Sequence, residues 1–203
     1  GELVDQHPVY AAFSGNVIGT AFRQDSVREA ALGAYMGLIK QIDDQMGLLF
    51  AHLRESGQLD NTIIVITSDH GDYLGDHWLG EKDLFHDASV RVPMIIYDPS
   101  PDADATRGTV SDALVESIDL LPTFVEMAGG TPRHEWLEGR SLMPLLRGET
   151  PSDWRQYAVS EYDYSITQMA ARLNVAPKDA RLFMVTDDRW KFMHAEGGFP
   201  PML

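Results

Sequence analysis

The segment from Thr62 to Asp98, TIIVITSDHGDYLGDHWLGEKDLFHDASVRVPMIIYD, holds two apolar runs separated by a dense cluster of Asp, His, Glu and Lys. The first run is short and β-branched, from Ile63 to Ile66, and predicts a strand buried on both faces rather than a helix. The second run, Val92 to Tyr97, predicts another strand, because proline is tolerated near a strand's start. Polar residues after the first strand lie where open α/β sheets bind ligands. The segment therefore predicts an α/β fold with its chemistry at this strand end.

A long helix is predicted just before this segment. Ser26 and Glu29 have the spacing of a capping box, and Gly57 supplies a stop. Apolar residues recur between them at helical spacing: Val27, Ala31, Ala34, Leu38, Ile42, Met46, Leu49 and Leu53. Residues 1–24 show no sustained period and are predicted to be loop.

The C-terminal third predicts a different architecture. Asp119 is expected to cap a short helix that carries Pro122 in its first turn and ends at Gly129. Three strands are then predicted at 157–161, 182–186 and 190–194, with a connecting helix at 167–176. We therefore expect an α/β core over residues 1–150 and a small, incomplete α+β subdomain with an antiparallel sheet over 151–203.

Composition limits the partners. The 203 residues are 44% hydrophobic and 23% charged, as in a globular protein. A net charge of −15 argues against nucleic acid or an anionic membrane, although a metal and local cations can still attract an anionic substrate. No apolar run approaches a membrane span, no signal-peptide pattern opens the chain, and no compartment is assigned. The absence of cysteine excludes disulfides, thiolate metal sites and a cysteine nucleophile within these residues.

Asp69 and His70 are the candidate metal ligands. A carboxylate beside an imidazole suits Zn, Mn, Mg or, less well, Ca. Neighbours on a strand point to opposite faces, so both reach one ion only if the strand has ended, and Gly71 gives the backbone that freedom. Zn takes about four ligands and Ca about six to eight, so other ligands must lie elsewhere. The alternative is an ordinary polar turn after a strand.

Lys82, thirteen positions after Asp69, is the candidate anion contact. An ammonium group near a metal can hold a non-bridging oxygen of an anionic ester, whereas the alternative is a solvated surface lysine. Ser68 lacks the G-x-S-x-G pattern of a nucleophile elbow. Several nearby polar residues could orient ligands or equally serve as turn residues: Asp72, Asp76, His77, His86 and Asp87.

The string SDHGDYLGDHWLGEK at 68–82, followed by RVPMII at 91–96, resembles the metal-site segment of the sulfatases within the alkaline phosphatase superfamily. Within that group it most resembles phosphonate monoester hydrolases and arylsulfatases. The similarity continues through IDDQ at 42–45, GQLDNT at 57–62, DLLPT at 119–123, LEGRSL at 137–142 and DRWKF at 188–192. The resemblance implies the C-terminal part of an alkaline-phosphatase-like α/β sandwich, with a small antiparallel subdomain at its C-terminal end.

The same resemblance implies roles for the candidate residues. Asp69 and His70 would ligate one divalent cation, and Lys82 would contact the sulfuryl or phosphoryl group of a small anionic ester. The family's nucleophile is a formylglycine made within a C/S-x-P-x-R motif, which this chain lacks. We therefore expect a C-terminal fragment of a hydrolase of sulfate, phosphate or phosphonate esters, inactive without the missing N-terminal part of the same protein. A non-hydrolytic phosphate-transfer relative, a non-catalytic interaction module and a homo-oligomer stay open.

Overall fold

The computed structural model describes residues 4–203, so the loop predicted for residues 1–3 lies outside the described range. The helices are α1 Pro8–Ser14, α2 Val17–Ala21, α3 Asp25–Glu55, α4 Asp87–Val90, α5 Leu120–Met127, α6 Met143–Leu146 and α7 Gln168–Arg172. The strands are β1 Ile64–Thr67, β2 Met94–Tyr97, β3 Ala158–Asp163, β4 Arg181–Thr186 and β5 Lys191–Ala195. Short 3-10 turns lie between them, among them Asp76–Trp78 and Ser117–Asp119.

The chain divides into two compact units that interleave along the sequence. The first unit combines the segment ending at Gly47 with His70–Val92 and Val159–Leu203. The second unit combines Leu48–Asp69 with Pro93–Ala158. These units do not follow the expected division after residue 150, which stays a prediction.

The first unit is built on an aromatic and aliphatic core. Val9 and Phe13 of α1 pack with Tyr164, which follows β3, and with Leu182 and Met184 of β4. Strands β3, β4 and β5 form a sheet in that order, with β4 antiparallel to β5 and Leu182 opposite Ala195. Inward-facing residues alternate with exposed ones along β4, the pattern of a sheet with one covered face.

The second unit contains a two-stranded sheet. Strand β1 pairs antiparallel with β2, and Ile64 lies opposite Tyr97. The prediction that the first strand is buried on both faces is wrong for this chain. β1 is half-buried and ends in an exposed residue, and Ile95 of β2 is 57% exposed.

Asp119 has a different role from the helix cap that the sequence predicted. Its side chain makes no capping bond to α5, and it is fully buried. The carboxylate instead accepts bonds from the backbone N–H groups of Glu116 and Arg140, each at 2.8 Å. Only 8% of the Arg155 side chain is exposed. Its two terminal guanidinium nitrogens donate to the two carboxylate oxygens of Asp119, and one of them also pairs with Glu116 at 2.8 Å. Asp119 is therefore the centre of a buried ion pair in the second unit.

Local signals predicted most other elements. Helix α3 confirms the long helix, but of its apolar stripe only Leu53 is buried. Helix α5 ends at Met127, just before Gly129 at φ 79°, as expected. The three C-terminal strands are confirmed, and α7 is shorter than the predicted helix.

The prediction of loop up to residue 24 is wrong because α1 and α2 lie there. In the described part of the chain, no helix has both the length and the apolar character of a membrane span.

Candidate metal centre

His70 is held in one tautomer by its own backbone. Its Nδ1 lies 2.7 Å from the carbonyl oxygen of Gly71, and because a carbonyl only accepts, Nδ1 must carry the proton. In the neutral form of the ring, the lone pair is then on Nε2. A histidine that donates one ring N–H to a backbone carbonyl is the usual form of a metal-ligating histidine. The geometry of His70 thus fits the predicted role.

Gly71 fixes this backbone against α4. Its N–H donates to the carbonyl of Ser89 at 2.7 Å, and a Cβ at this position would lie 1.9 Å from the carbonyl oxygen of Ala88. Only glycine permits so close an approach. The sequence predicts backbone freedom at Gly71, and in the structure the missing side chain of Gly71 also lets the His70 segment dock on α4.

Asp69 and His70 are consecutive residues that belong to different compact units. Asp69 ends a segment of the second unit, and His70 begins a segment of the first. The Asp69 side chain is exposed, and Ser68 donates to its Oδ1 at 3.4 Å. Both residues follow the end of β1 at Thr67, so neither is bound to the alternation of a regular strand. Their assignment as ligands stays a prediction.

Lys82 is an exposed residue of the first unit, placed on a compact loop. Its two neighbours both have left-handed backbone conformations, Glu81 at φ 61° and Asp83 at φ 100°. Such angles are rare outside glycine and are concentrated where the surrounding structure imposes them. The Asp83 carboxylate lies beside Tyr162, and burial, followed by this negative charge, raises the pKa of the Tyr162 hydroxyl. The backbone on both sides of Lys82 is therefore tightly defined.

An aromatic cluster lies beside this loop in the same unit. The rings of His77 and His86 stack with centroids 3.9 Å apart, and the Tyr73 hydroxyl lies 2.9 Å from Nδ1 of His86. Tyr10 packs against His86 at 4.8 Å, and burial raises the pKa of Tyr10 to about 12. A half-open cleft of about 280 Å³ has six lining residues: Gln6, Tyr10, Ser14, His77, Leu79 and His86. Burial in this cluster raises the pKa of Tyr10 and of Tyr73, which as ordinary tyrosines are already protonated at neutral pH.

Two of the polar residues considered as ligand-orienting groups serve local structure. Asp72 accepts from the N–H of Leu74 at 2.9 Å, as in a turn. Asp87 pairs with Lys191, whose hydrogen bond lowers the pKa of the Asp87 carboxyl, while partial burial opposes the shift. Lys191 also donates to the carbonyl of Phe85 at 2.9 Å. Sequence spacing could not connect Lys191 with Asp87, because the two residues are about a hundred positions apart.

The fold and these motifs match known proteins. A family model called Sulfatase matches residues 3–130, and one called N-sulphoglucosamine sulphohydrolase, C-terminal, matches residues 75–196. The chain belongs to the sulfatase family. This sulfatase chain is 37% identical over 188 residues to Multifunctional alkaline phosphatase superfamily protein PehA of Trinickia caryophylli. It is 39% identical over 135 residues to an arylsulfatase of Clostridium perfringens.

Solved structures confirm the predicted fold class. The phosphonate monoester hydrolase SpPMH from Silicibacter pomeroyi superposes with a TM-score of 0.85 at 34% identity, over 97% of this chain and 40% of that one. The alignment with PehA covers 91% of this chain and 35% of PehA, and that with the arylsulfatase covers 66% and 27%. The chain thus spans well under half of these relatives and corresponds to their C-terminal portion.

The described residues do not complete a metal site. Within residues 4–203, no three His, Asp or Glu side chains are grouped closely enough to hold a metal ion. A carboxylate and an imidazole in the Nδ1–H form still fit two positions around a divalent cation. These two donors therefore fit part of a cation's coordination shell, and their role as metal ligands stays a prediction.

Proposed function

We propose that the whole protein, of which this chain is the C-terminal portion, hydrolyses sulfate, phosphate or phosphonate esters with a divalent cation. The relatives carry the names arylsulfatase, N-acetylglucosamine-6-O-sulfatase and phosphonate monoester hydrolase, which supports a hydrolase of such esters. The observation that carries the proposal is the Nδ1–H bond of His70 to the Gly71 carbonyl. This hydrogen bond places the ring proton on Nδ1, so that Nε2 is the nitrogen that can coordinate a metal.

Each candidate residue has a distinct task in this proposal. Asp69 and His70 hold one side of a Ca, Mn, Mg or Zn ion, which supplies Lewis-acid stabilisation of the ester's negative charge when bound. Lys82 donates to a non-bridging ester oxygen and offsets the charge that develops in the transition state. Its single flexible ammonium suits a point contact with a tetrahedral group.

The nucleophile comes from outside these residues in our proposal. The chain has no cysteine, and no serine lies in the C/S-x-P-x-R pattern of a formylglycine site. The isolated chain is then inactive, because it carries neither a nucleophile nor a full set of ligands. Turnover of p-nitrophenyl sulfate or phosphate by the purified 203-residue chain with added Mn²⁺ or Ca²⁺, well above background, would contradict this.

Lys82→Ala in the whole protein tests the anion contact. Loss of one donor to a developing oxyanion lowers kcat by about 10²- to 10³-fold, and the bound metal is expected to stay. Hydrolysis of p-nitrophenyl sulfate, phosphate and phenylphosphonate should be compared with metal content measured by mass spectrometry. Lys40→Ala is the matched control, because Lys40 is an exposed lysine of α3 that pairs with the exposed Asp44 one turn further along the helix. Equal turnover in the two variants would remove Lys82 from the mechanism.

A further inference from the structure

The loop that carries Lys82, residues 72–83 and called the lysine loop below, has an unusual backbone. Five of its non-glycine residues have positive φ: Leu74, His77, Trp78, Glu81 and Asp83. Left-handed conformations of such residues persist only where other contacts determine them. Two backbone bonds close the loop, from the N–H of Tyr73 to the carbonyl of Glu81 and from Gly75 to Leu79, each at 2.9 Å.

Two glycines of the lysine loop lie directly against α2, the residue after it and the first turn of α3. A Cβ at Gly80 would lie 2.3 Å from Cε2 of Phe22 and 2.5 Å from Cγ2 of Ile18. A Cβ at Gly75 would lie 2.5 Å from Cδ of Arg28. Both glycines are therefore in contact with side chains of one short stretch of chain, residues 18–28, and Gly80 precedes Lys82 by only two residues.

Arg28 links the contact at Gly75 to the turn before α3. One guanidinium nitrogen donates to the carbonyl of Phe22 and another pairs with Asp25. Its aliphatic stem is what faces Gly75, so the charged head ties down the turn before α3 while the stem packs on the loop. Phe22 itself caps the C-terminal end of α2. Every residue of this arrangement belongs to the first compact unit.

We propose that Ile18, Phe22 and Arg28, called the clamp below, are positioning residues for Lys82. The inference rests on the proposed function, because it assigns the clamp a role through Lys82. The clamp presses on Gly75 and Gly80, holds the positive-φ backbone on both sides of Lys82, and thereby fixes where the ammonium meets the ester. No residue of the clamp touches the substrate.

Gly80→Ala in the whole protein is the direct perturbation. Ordinary contact begins near 3.4 Å, so a methyl placed 2.3 Å from Phe22 displaces either the loop or the ring by about 1 Å. A misplacement of that size costs up to about 10²-fold in rate. We expect kcat for ester hydrolysis to fall by at least about 10-fold, with bound metal unchanged.

Compensating variants separate positioning from simple loss of stability. Ile18→Ala and Phe22→Ala together remove the atoms that the new methyl meets, so adding them to Gly80→Ala is expected to restore kcat although each shortens a packed side chain. A destabilised protein would instead lose further activity with every added truncation. Gly37→Ala is the matched glycine control, because no atom lies within 4 Å of a Cβ there. It should leave kcat unchanged.

Hydrogen exchange in the 203-residue chain gives a readout that does not depend on activity. The amides of Tyr73, Gly75 and Leu79 should lose protection in Gly80→Ala and regain it in the compensated variant. Normal kcat in Gly80→Ala, alongside an inactive Lys82→Ala, overturns the clamp and leaves the proposed function intact. Normal kcat in Lys82→Ala removes Lys82 from the mechanism and overturns the clamp's positioning role with it, whereas absence of ester hydrolysis in the native whole protein overturns the proposed function itself.

Discussion

Replacement of Asp119 by alanine is expected to cost the second unit much of its stability. The carboxylate is fully buried and accepts two backbone N–H bonds at 2.8 Å as well as the Arg155 guanidinium. Removing one partner of a buried ion pair typically costs about 3–5 kcal/mol, because the other charge is left poorly compensated. Glu116 still pairs with Arg155 at 2.8 Å, so we expect the lower part of this range, about 3 kcal/mol.

The assay is urea unfolding followed by circular dichroism. With a urea dependence of about 1–3 kcal/mol per molar, a loss of 3 kcal/mol lowers the midpoint by about 1–3 M. Asp44→Ala is the matched control, because Asp44 forms an exposed pair with Lys40 four residues apart in α3. Such pairs contribute only about 0.3–0.5 kcal/mol. If the two variants shift the midpoint equally, the Asp119 network is not the stabilising centre described above.

Three further perturbations have defined outcomes. Tyr164→Phe should be neutral or stabilising in thermal unfolding, because the buried Tyr164 hydroxyl has no hydrogen-bond partner among the described residues; a large loss of stability would contradict this. Gly71→Ala should destabilise by about 1–3 kcal/mol through its overlap with backbone, whereas Gly33→Ala, with open space in α3, should gain up to about 1 kcal/mol; equal effects would be inconsistent with the close approach. Lys191→Met removes the hydrogen bond that lowers the pKa of the Asp87 carboxyl. The variant should therefore be less stable than the native chain above pH 3.8, and this loss of stability should shrink as the pH falls below that value. A difference that grows on acidification would mean that Lys191 does not stabilise the Asp87 carboxylate.

Short-range signals explain which elements could be predicted from the sequence. The period of α3 and the glycine stop of α5 lie within a few residues of the elements that they define, and both helices were predicted. Helices α1 and α2 are too short for a period to be visible. Their available signals were end signals: Pro8 in the first turn of α1, and Asn16, whose side chain accepts from the Gly19 N–H at 2.7 Å to cap α2.

Long-range pairing explains what could not be predicted. The role of Asp119 depends on Arg155, thirty-six residues later, and nothing local indicates that partner. The lysine loop has left-handed backbone at Leu74 and Trp78, residue types that sequence rules assign to other conformations. In our proposal such angles are held by packing against the clamp, which is distant in sequence.

The candidate site shows the same division. Residue chemistry and the position after a strand selected Asp69, His70 and Lys82, and the family resemblance gave each a role. The hydrogen bond that sets the His70 tautomer, and the glycine that lets its segment dock on α4, required coordinates. Neither is encoded by spacing alone.

Metal content of the whole protein tests the central claim most directly. Native protein, Asp69→Ala, His70→Ala and the control His52→Ala, a change at an exposed histidine of α3, should be purified in parallel and analysed by mass spectrometry for Ca, Mn, Mg and Zn. The account predicts near one divalent ion per chain in the native protein and in His52→Ala, and a loss of both metal and ester hydrolysis in the two site variants. Full metal occupancy in Asp69→Ala and His70→Ala would contradict it.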